Sequence, residues 1–164
     1  MGHVGGIHIG VISDTHGLLR QEALRALAGS ELIIHAGDVG RPDILTALGE
    51  IAPVIAVRGN VDGGAFSEAL PKSTVAEAGG LRIYILHDLA DLEFEPSKKG
   101  FGLVVSGHSH KPSRTRRDQT LFLNPGSAGP QRFRLPVCLA QLKINKGSYE
   151  LGFIDLLSGQ PFEP

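Results

Sequence analysis

Apolar positions along the chain fall in short blocks whose spacing changes half-way. Residues 7–13 (IHIGVIS) form a short β-branched run, the pattern of a buried strand. Residues 21–28 carry Ala and Leu at helical spacing and stop at Gly29, which predicts a helix with a glycine end. Leu32–His35 predicts a second strand, Pro42 opens a helix over residues 43–48, and residues 54–57 predict a third strand. This alternation implies parallel strands joined by right-handed crossovers. Beyond Pro71 the pattern is strand-rich. Residues 74–78 and Leu81–Leu86 flank Gly79-Gly80, a hairpin signal. A short polar helix is expected within residues 91–99, then strands at 103–106, 121–123 and 137–144. Asn145-Lys146-Gly147 turns the chain into a last strand over residues 149–155. These strands predict a second sheet packed on the first. Residues 1–6 read as a flexible lead-in and 160–164 as a loose tail, so residues 1–164 are expected to form one domain.

Composition narrows the classes of function. With 16 basic and 17 acidic residues the formal charge is −1, so nucleic acid is not expected as a general partner. No apolar run approaches the ~18 residues that would predict a membrane-spanning helix, so no membrane partner is expected. A lone cysteine, Cys138, permits no intramolecular disulfide and suits a reducing, cytoplasmic setting. It lies inside an apolar strand pattern and reads as a core residue. Glycine is abundant, 22 in 164 residues, about twice the usual ~7%, so many tight turns or close backbone approaches are expected.

Four of those glycines stand beside metal-capable side chains, each directly after an apolar strand. They occur in Asp14-Thr15-His16-Gly17, Gly37-Asp38, Gly59-Asn60 and Gly107-His108-Ser109-His110. In a parallel α/β sheet the C-terminal strand ends share one edge, where ligands bind. Asp14, Asp38 and Asn60 should meet there, and His87 joins them if its strand runs the same way. Each motif taken alone is also compatible with an ordinary turn or cap. Together they supply seven donors, too many for one ordinary transition-metal site and enough for two sharing a carboxylate. Carboxylate with imidazole suits Mn²⁺, Fe²⁺, Zn²⁺, Co²⁺ or Ni²⁺. Two divalent ions would be neutralised by Asp14, Asp38, a hydroxide and a phosphodiester. His3, His8 and His35 carry no motif and read as ordinary tail or strand histidines.

In order and spacing these motifs resemble those of the calcineurin-like metallophosphoesterases. Asn124-Pro125-Gly126-Ser127, Gly59-Asn60-x-Asp62 and the short length resemble the small YfcE-type phosphodiesterase subgroup. The resemblance implies a four-layer α/β/β/α sandwich with a dinuclear site. It implies Asp14, His16 and His110 on one metal, Asn60, His87 and His108 on the other, and Asp38 bridging both. Manganese is the first expectation for both ions. Asp38, Asn60 and His108 would carry catalysis, with Asn60 and Arg132 on the substrate. The implied reaction is hydrolysis of a small phosphodiester by in-line attack of a metal-bridging hydroxide. The alternatives are a phosphomonoesterase or a non-catalytic protein-binding scaffold of the same fold, and a homo-oligomer is compatible with either. Two positions depart from the family pattern. Val61 stands where relatives carry a proton-transferring His or, in the small subgroup, commonly Cys, while Asp62 keeps its carboxylate. Asp88 stands where relatives have Gly, and would either orient His87 or face solvent in a turn.

Overall fold

The structure is a computed structural model and describes residues 5–164. The expected lead-in falls mostly on residues 1–4, outside the described residues, while Gly6 packs against the Ile144 carbonyl. Strands β1 (Ile7–Ile12), β2 (Leu32–His35) and β3 (Val54–Ala56) alternate with helices α1 (Gln21–Leu27) and α2 (Pro42–Gly49). A short helix α3 (Ala65–Glu68) follows. Then come β4 (Ser73–Ala78), β5 (Leu81–Leu86), β6 (Leu103–Val105), β7 (Ser113–Arg117), β8 (Thr120–Asn124), β9 (Cys138–Asn145), β10 (Ser148–Asp155) and β11 (Pro161–Phe162). No helix is long and apolar enough to cross a membrane among the described residues.

The strands form two sheets, ordered β11-β10-β9-β1-β2-β3 and β4-β5-β6-β8-β7. In the first, β1, β2 and β3 run parallel; in the second, β5, β6 and β8 do. Ile9, Val11, Ile34, Ala140 and Phe153 of one sheet and Ile83, Ile85, Leu103, Val105 and Leu123 of the other share one buried core. The outer face of the first sheet packs Ile12, Ile33 and Leu139 against Ala23 and Leu27 of α1 and Ile44 and Leu48 of α2. The outer face of the second sheet carries a smaller cluster around Leu86, Val104 and Phe122. This matches the expected α/β/β/α layering, with a thin fourth layer.

That layer is thin because the helix expected within residues 91–99 does not form. Two 3₁₀ turns, Leu89–Asp91 and Pro96–Lys99, stand in its place. Pro96 has no N–H to donate and disfavours helical backbone at Glu95, so a continuous helix is broken there. The tail expectation is also corrected. Pro161 and Phe162 pair with Ile154 and Phe153 as β11, anchored by Phe162 packed on Phe153. Strand β7 lacks a predictive pattern because all five residues, SRTRR, are exposed on a sheet edge.

Candidate metal centre

All six parallel strands deliver their C-terminal ends to one region. Loops after β1, β2 and β3 carry Asp14 with His16, Asp38, and Asn60; those after β5 and β6 carry His87, and His108 with His110. Backbone hydrogen bonds lace the loops together. Asp14, His16 and Gly17 donate N–H groups to the carbonyls of Gly37, Asp38 and Val39, at 2.9–3.0 Å. The glycines make this contact possible. A Cβ on Gly59 would lie 2.1 Å from Asp38 Oδ1, and one on Gly107 would lie 2.1 Å from Ser13 Oγ. Five donors, Asp14, His16, Asp38, His108 and His110, have φ between 46° and 71°. Only eight non-glycine residues adopt positive φ among the described residues, so strained backbone is concentrated at this site.

The side chains gather in two groups, Asp14 with His16 and His110, and Asp38 with His87 and His108. Asp14 Oδ2 is spoken for: it accepts from Ser13 Oγ at 2.7 Å and from the His108 N–H at 3.1 Å. Its Oδ1 is buried without a hydrogen-bond partner. Around that oxygen stand His110 Nε2 at 3.3 Å and His16 Nε2 at 3.7 Å, themselves 3.3 Å apart. In the second group His87 Nδ1 donates to the Ala36 carbonyl at 2.7 Å. The neutral ring then presents a lone pair at Nε2, which faces Asp38 Oδ2 at 3.2 Å and Asn60 Oδ1 at 3.0 Å. Asn60 Oδ1 also lies 3.2 Å from His108 Nδ1. Asp38 Oδ2 sits between the groups, 3.6 Å from His16 Nε2. Acceptors that converge on one another and leave a buried carboxylate oxygen unpartnered fit divalent cations.

Electrostatics point the same way. Burial would raise the Asp38 carboxyl, but the His87 ring, whenever its Nε2 is protonated, and the Val61 N–H hold it below the usual range. Burial would lower His87, but Asp38, the Ala36 carbonyl and nearby Asp14 raise it. Carboxylates that favour a proton on His87 Nε2 favour a metal cation there equally. Burial lowers His110, and the positive charge of Arg132 adds to that, so Arg132 stands within electrostatic reach of the site. Arg132 itself is exposed. All seven donors expected from the sequence are therefore brought together.

The residues that brace this centre are less visible in sequence. His35 is fully buried between the first two loops. The Gly37 N–H donates to its Nδ1 at 3.2 Å, so its Nε2 carries hydrogen toward Thr15 Oγ1 at 3.0 Å. Thr15 donates in turn to the Val39 carbonyl at 2.8 Å. Burial lowers the His35 pKa to about 4, despite the carboxylates around it, so this brace is neutral at pH 7. Asn124 donates to the Gly107 carbonyl at 2.9 Å and to Ser109 Oγ at 3.0 Å, holding the histidine loop; Ser127 donates to the Asp14 carbonyl at 3.0 Å.

Asp62 is not available to a neighbouring side chain at position 61. Its Oδ2 accepts the N–H groups of Gly59 at 2.9 Å and Val39 at 3.2 Å, and its Oδ1 accepts that of Gly40 at 2.9 Å. Asp88 does not orient His87. It caps the following 3₁₀ turn through Ala90 N–H at 3.0 Å and turns its Oδ2 toward His108 Nε2 at 3.6 Å.

Residues 7–147 match the calcineurin-like phosphoesterase superfamily domain. The chain belongs to the calcineurin-like phosphoesterase superfamily. A probable metallophosphoesterase of Methanothermobacter thermautotrophicus is 36% identical over 140 residues, covering 78% of this chain and 81% of that protein. Among solved structures, a conserved predicted phosphoesterase of Streptococcus pneumoniae superposes with TM-score 0.76 at 27% identity, covering 98% of this chain and 95% of that one. Entamoeba histolytica Vps29, solved with Zn²⁺, shares the fold at TM-score 0.78 and 21% identity, over 95% of this chain and 96% of its own. Family membership implies a metal-dependent phosphoesterase, and the two donor groups are where this calcineurin-like chain can hold its metal.

Proposed function

We propose that the protein is a phosphodiesterase holding two divalent ions per chain, with manganese the first candidate. The observation that carries this reading is the shared carboxylate: Asp38 Oδ2 lies 3.2 Å from His87 Nε2 and 3.6 Å from His16 Nε2, one imidazole from each donor group. Bound divalent ions supply an activated water at neutral pH and neutralise charge developing on phosphate. The chain's own side chains do the rest. Asn60 spends its carbonyl oxygen on the His87 and His108 side, which leaves its amide N–H groups for a phosphate oxygen. Arg132 adds positive charge beside the His110 side. Asp14 and Asp38 with one hydroxide and one singly charged diester balance the four positive charges of two divalent ions. Val61 is 54% exposed and has no proton to give, and Asp62 is committed to backbone. No side chain at these two positions therefore assists a departing alkoxide.

A protein-binding scaffold would tolerate erosion of the donor set, so the intact convergence of all seven donors favours an enzyme. The test is metal analysis after reconstitution, joined to hydrolysis of bis(p-nitrophenyl) phosphate and p-nitrophenyl phosphate. Two ions per chain and faster turnover of the diester are expected. Saturation at one ion would overturn the dinuclear reading, and faster monoester turnover would overturn the diester reading.

A further inference from the structure

Beside His108, on the outer face of the second sheet, lies a cavity of about 200 Å³ that the phosphoesterase reading leaves without a role. Its floor is the edge strand β7. Side chains alternate along a strand, so Ser113, Thr115 and Arg117 share one face, and all three line the cavity. Arg114 lies on the opposite face, where it pairs with Glu163 at 3.2 Å. Arg117 is held by a cation–π contact, its guanidinium carbon 4.3 Å from the Phe122 ring centroid. Across the cavity stand Asp88, His108 and Ser109. Asp88 is fixed by the Ala90 N–H at its Oδ1, which leaves Oδ2 on the His108 side able to accept. The Ser109 hydroxyl already accepts from Asn124 and from the Lys111 N–H, and keeps its own O–H to donate.

This lining selects a chemistry. One carboxylate and one guanidinium cancel, so neither an ammonium nor a second phosphate is preferred. Four hydroxyls (Ser106, Ser109, Ser113 and Thr115), an acceptor and a donor fork suit a neutral group rich in hydroxyls. The volume is below the ~300 Å³ at which pockets begin to hold whole drug-sized ligands, so it fits one substituent of a larger substrate. His108 belongs both to this cavity and to the second donor group. We infer that the cavity is a substrate subsite which takes the polyol substituent, of glycerol or pentose size, of the phosphoester held at the metal centre. The inference rests on the phosphoester reading above. It also gives Asp88 a task that a glycine there could not perform.

The probes are glycerol 3-(methyl phosphate) and dimethyl phosphate, two diesters, titrated calorimetrically into the manganese-loaded protein. They share the phosphate and differ in the polyol. Two or three new hydrogen bonds imply at least about fivefold tighter binding of the glycerol ester. Asp88→Ala and Thr115→Val should each cut that ratio several-fold. Thr115 is an exposed strand residue, so its variant keeps the test available if Asp88→Ala disturbs the turn it caps. A ratio near one in the unmodified protein, or one that survives both substitutions, overturns the subsite while the phosphoester reading stands. Binding of neither ester would overturn the phosphoester reading and the subsite with it.

Discussion

Replacing Asp62 by Ala removes the acceptor for three backbone N–H groups at once. Gly59 and Val39 are buried, so their N–H groups lose a carboxylate and gain no water. A buried donor left unpaired costs roughly 1–3 kcal/mol. Gly40 is exposed, and its N–H turns to solvent at little cost. The expected destabilisation is therefore about 3 kcal/mol. For a chain of this size each kcal/mol moves Tm by roughly 2–4 °C, so a drop of about 6–12 °C is expected. Asp62→Asn is a graded control. Its carbonyl oxygen can take the place of Oδ2 and keep both buried donors, so most of the stability should return. Denaturation in chelator separates this effect from metal linkage, which would otherwise be folded into Tm. Metal titration of the same variants reads the second consequence. Asp62 ties the Asp38 loop to the Asn60 loop, so its loss should weaken metal binding by the donor group of Asp38, His87 and His108. An Ala variant within about 2 °C of the unmodified protein, or an Asn variant as unstable as the Ala one, would refute this reasoning.

Three further outcomes are expected. His35 has a folded pKa of about 4 against an ordinary 6.5, because burial excludes its charged form. The unfolded chain takes up this proton first, so stability present above pH ~6.5 should be lost as pH falls toward 4, by about 3 kcal/mol; urea unfolding of the chelated protein at pH 7 and 4.5 should show a smaller loss in His35→Asn, and equal losses would sink the assignment. Cys138 is pushed up to about 12 by burial and by the Asp155 charge, so iodoacetamide at pH 8 should label it only after unfolding; fast labelling of the native protein would contradict that. With Val61 and Asp62 unable to donate a proton, diester turnover should fall steeply as the leaving group becomes more basic. Val61→His should recover little, because Asp62 is already occupied; a flat leaving-group series would show that a proton arrives from elsewhere.

Much of the centre was legible because its chemistry is written locally. A glycine and a donor directly after an apolar run mark a strand end, and parallel topology carries such ends to one edge. The braces were not legible for a related reason. Asp62 takes two of its three N–H groups from Val39 and Gly40, in another loop, and His35 reaches Thr15, which looks like spacing between two ligands. Nothing in residue type announces those contacts. Asp88 was misdirected by adjacency. It follows His87 by one residue, and successive side chains leave a strand end on opposite sides, so it meets His108 instead. Strand β7 was hidden because a charged edge strand has no buried face to alternate. At the other end, Pro161 and Phe162 lack the length of a predictable strand, and a ring contact with Phe153 decides their position.

Left-handed backbone at five donors has a consequence for how this protein can change. Each such residue costs roughly 1–2 kcal/mol that glycine would not. At His16 and His108, whose part-exposed side chains hold no backbone group, the cheapest local improvement is therefore the substitution that deletes a donor. Stability and chemistry pull in opposite directions at these two positions, so a lineage released from its reaction has a downhill route to glycine there and a steep climb back. Screens that select this chain for heat tolerance in chelator should drift along that route, gaining melting temperature as they lose the ability to hold metal.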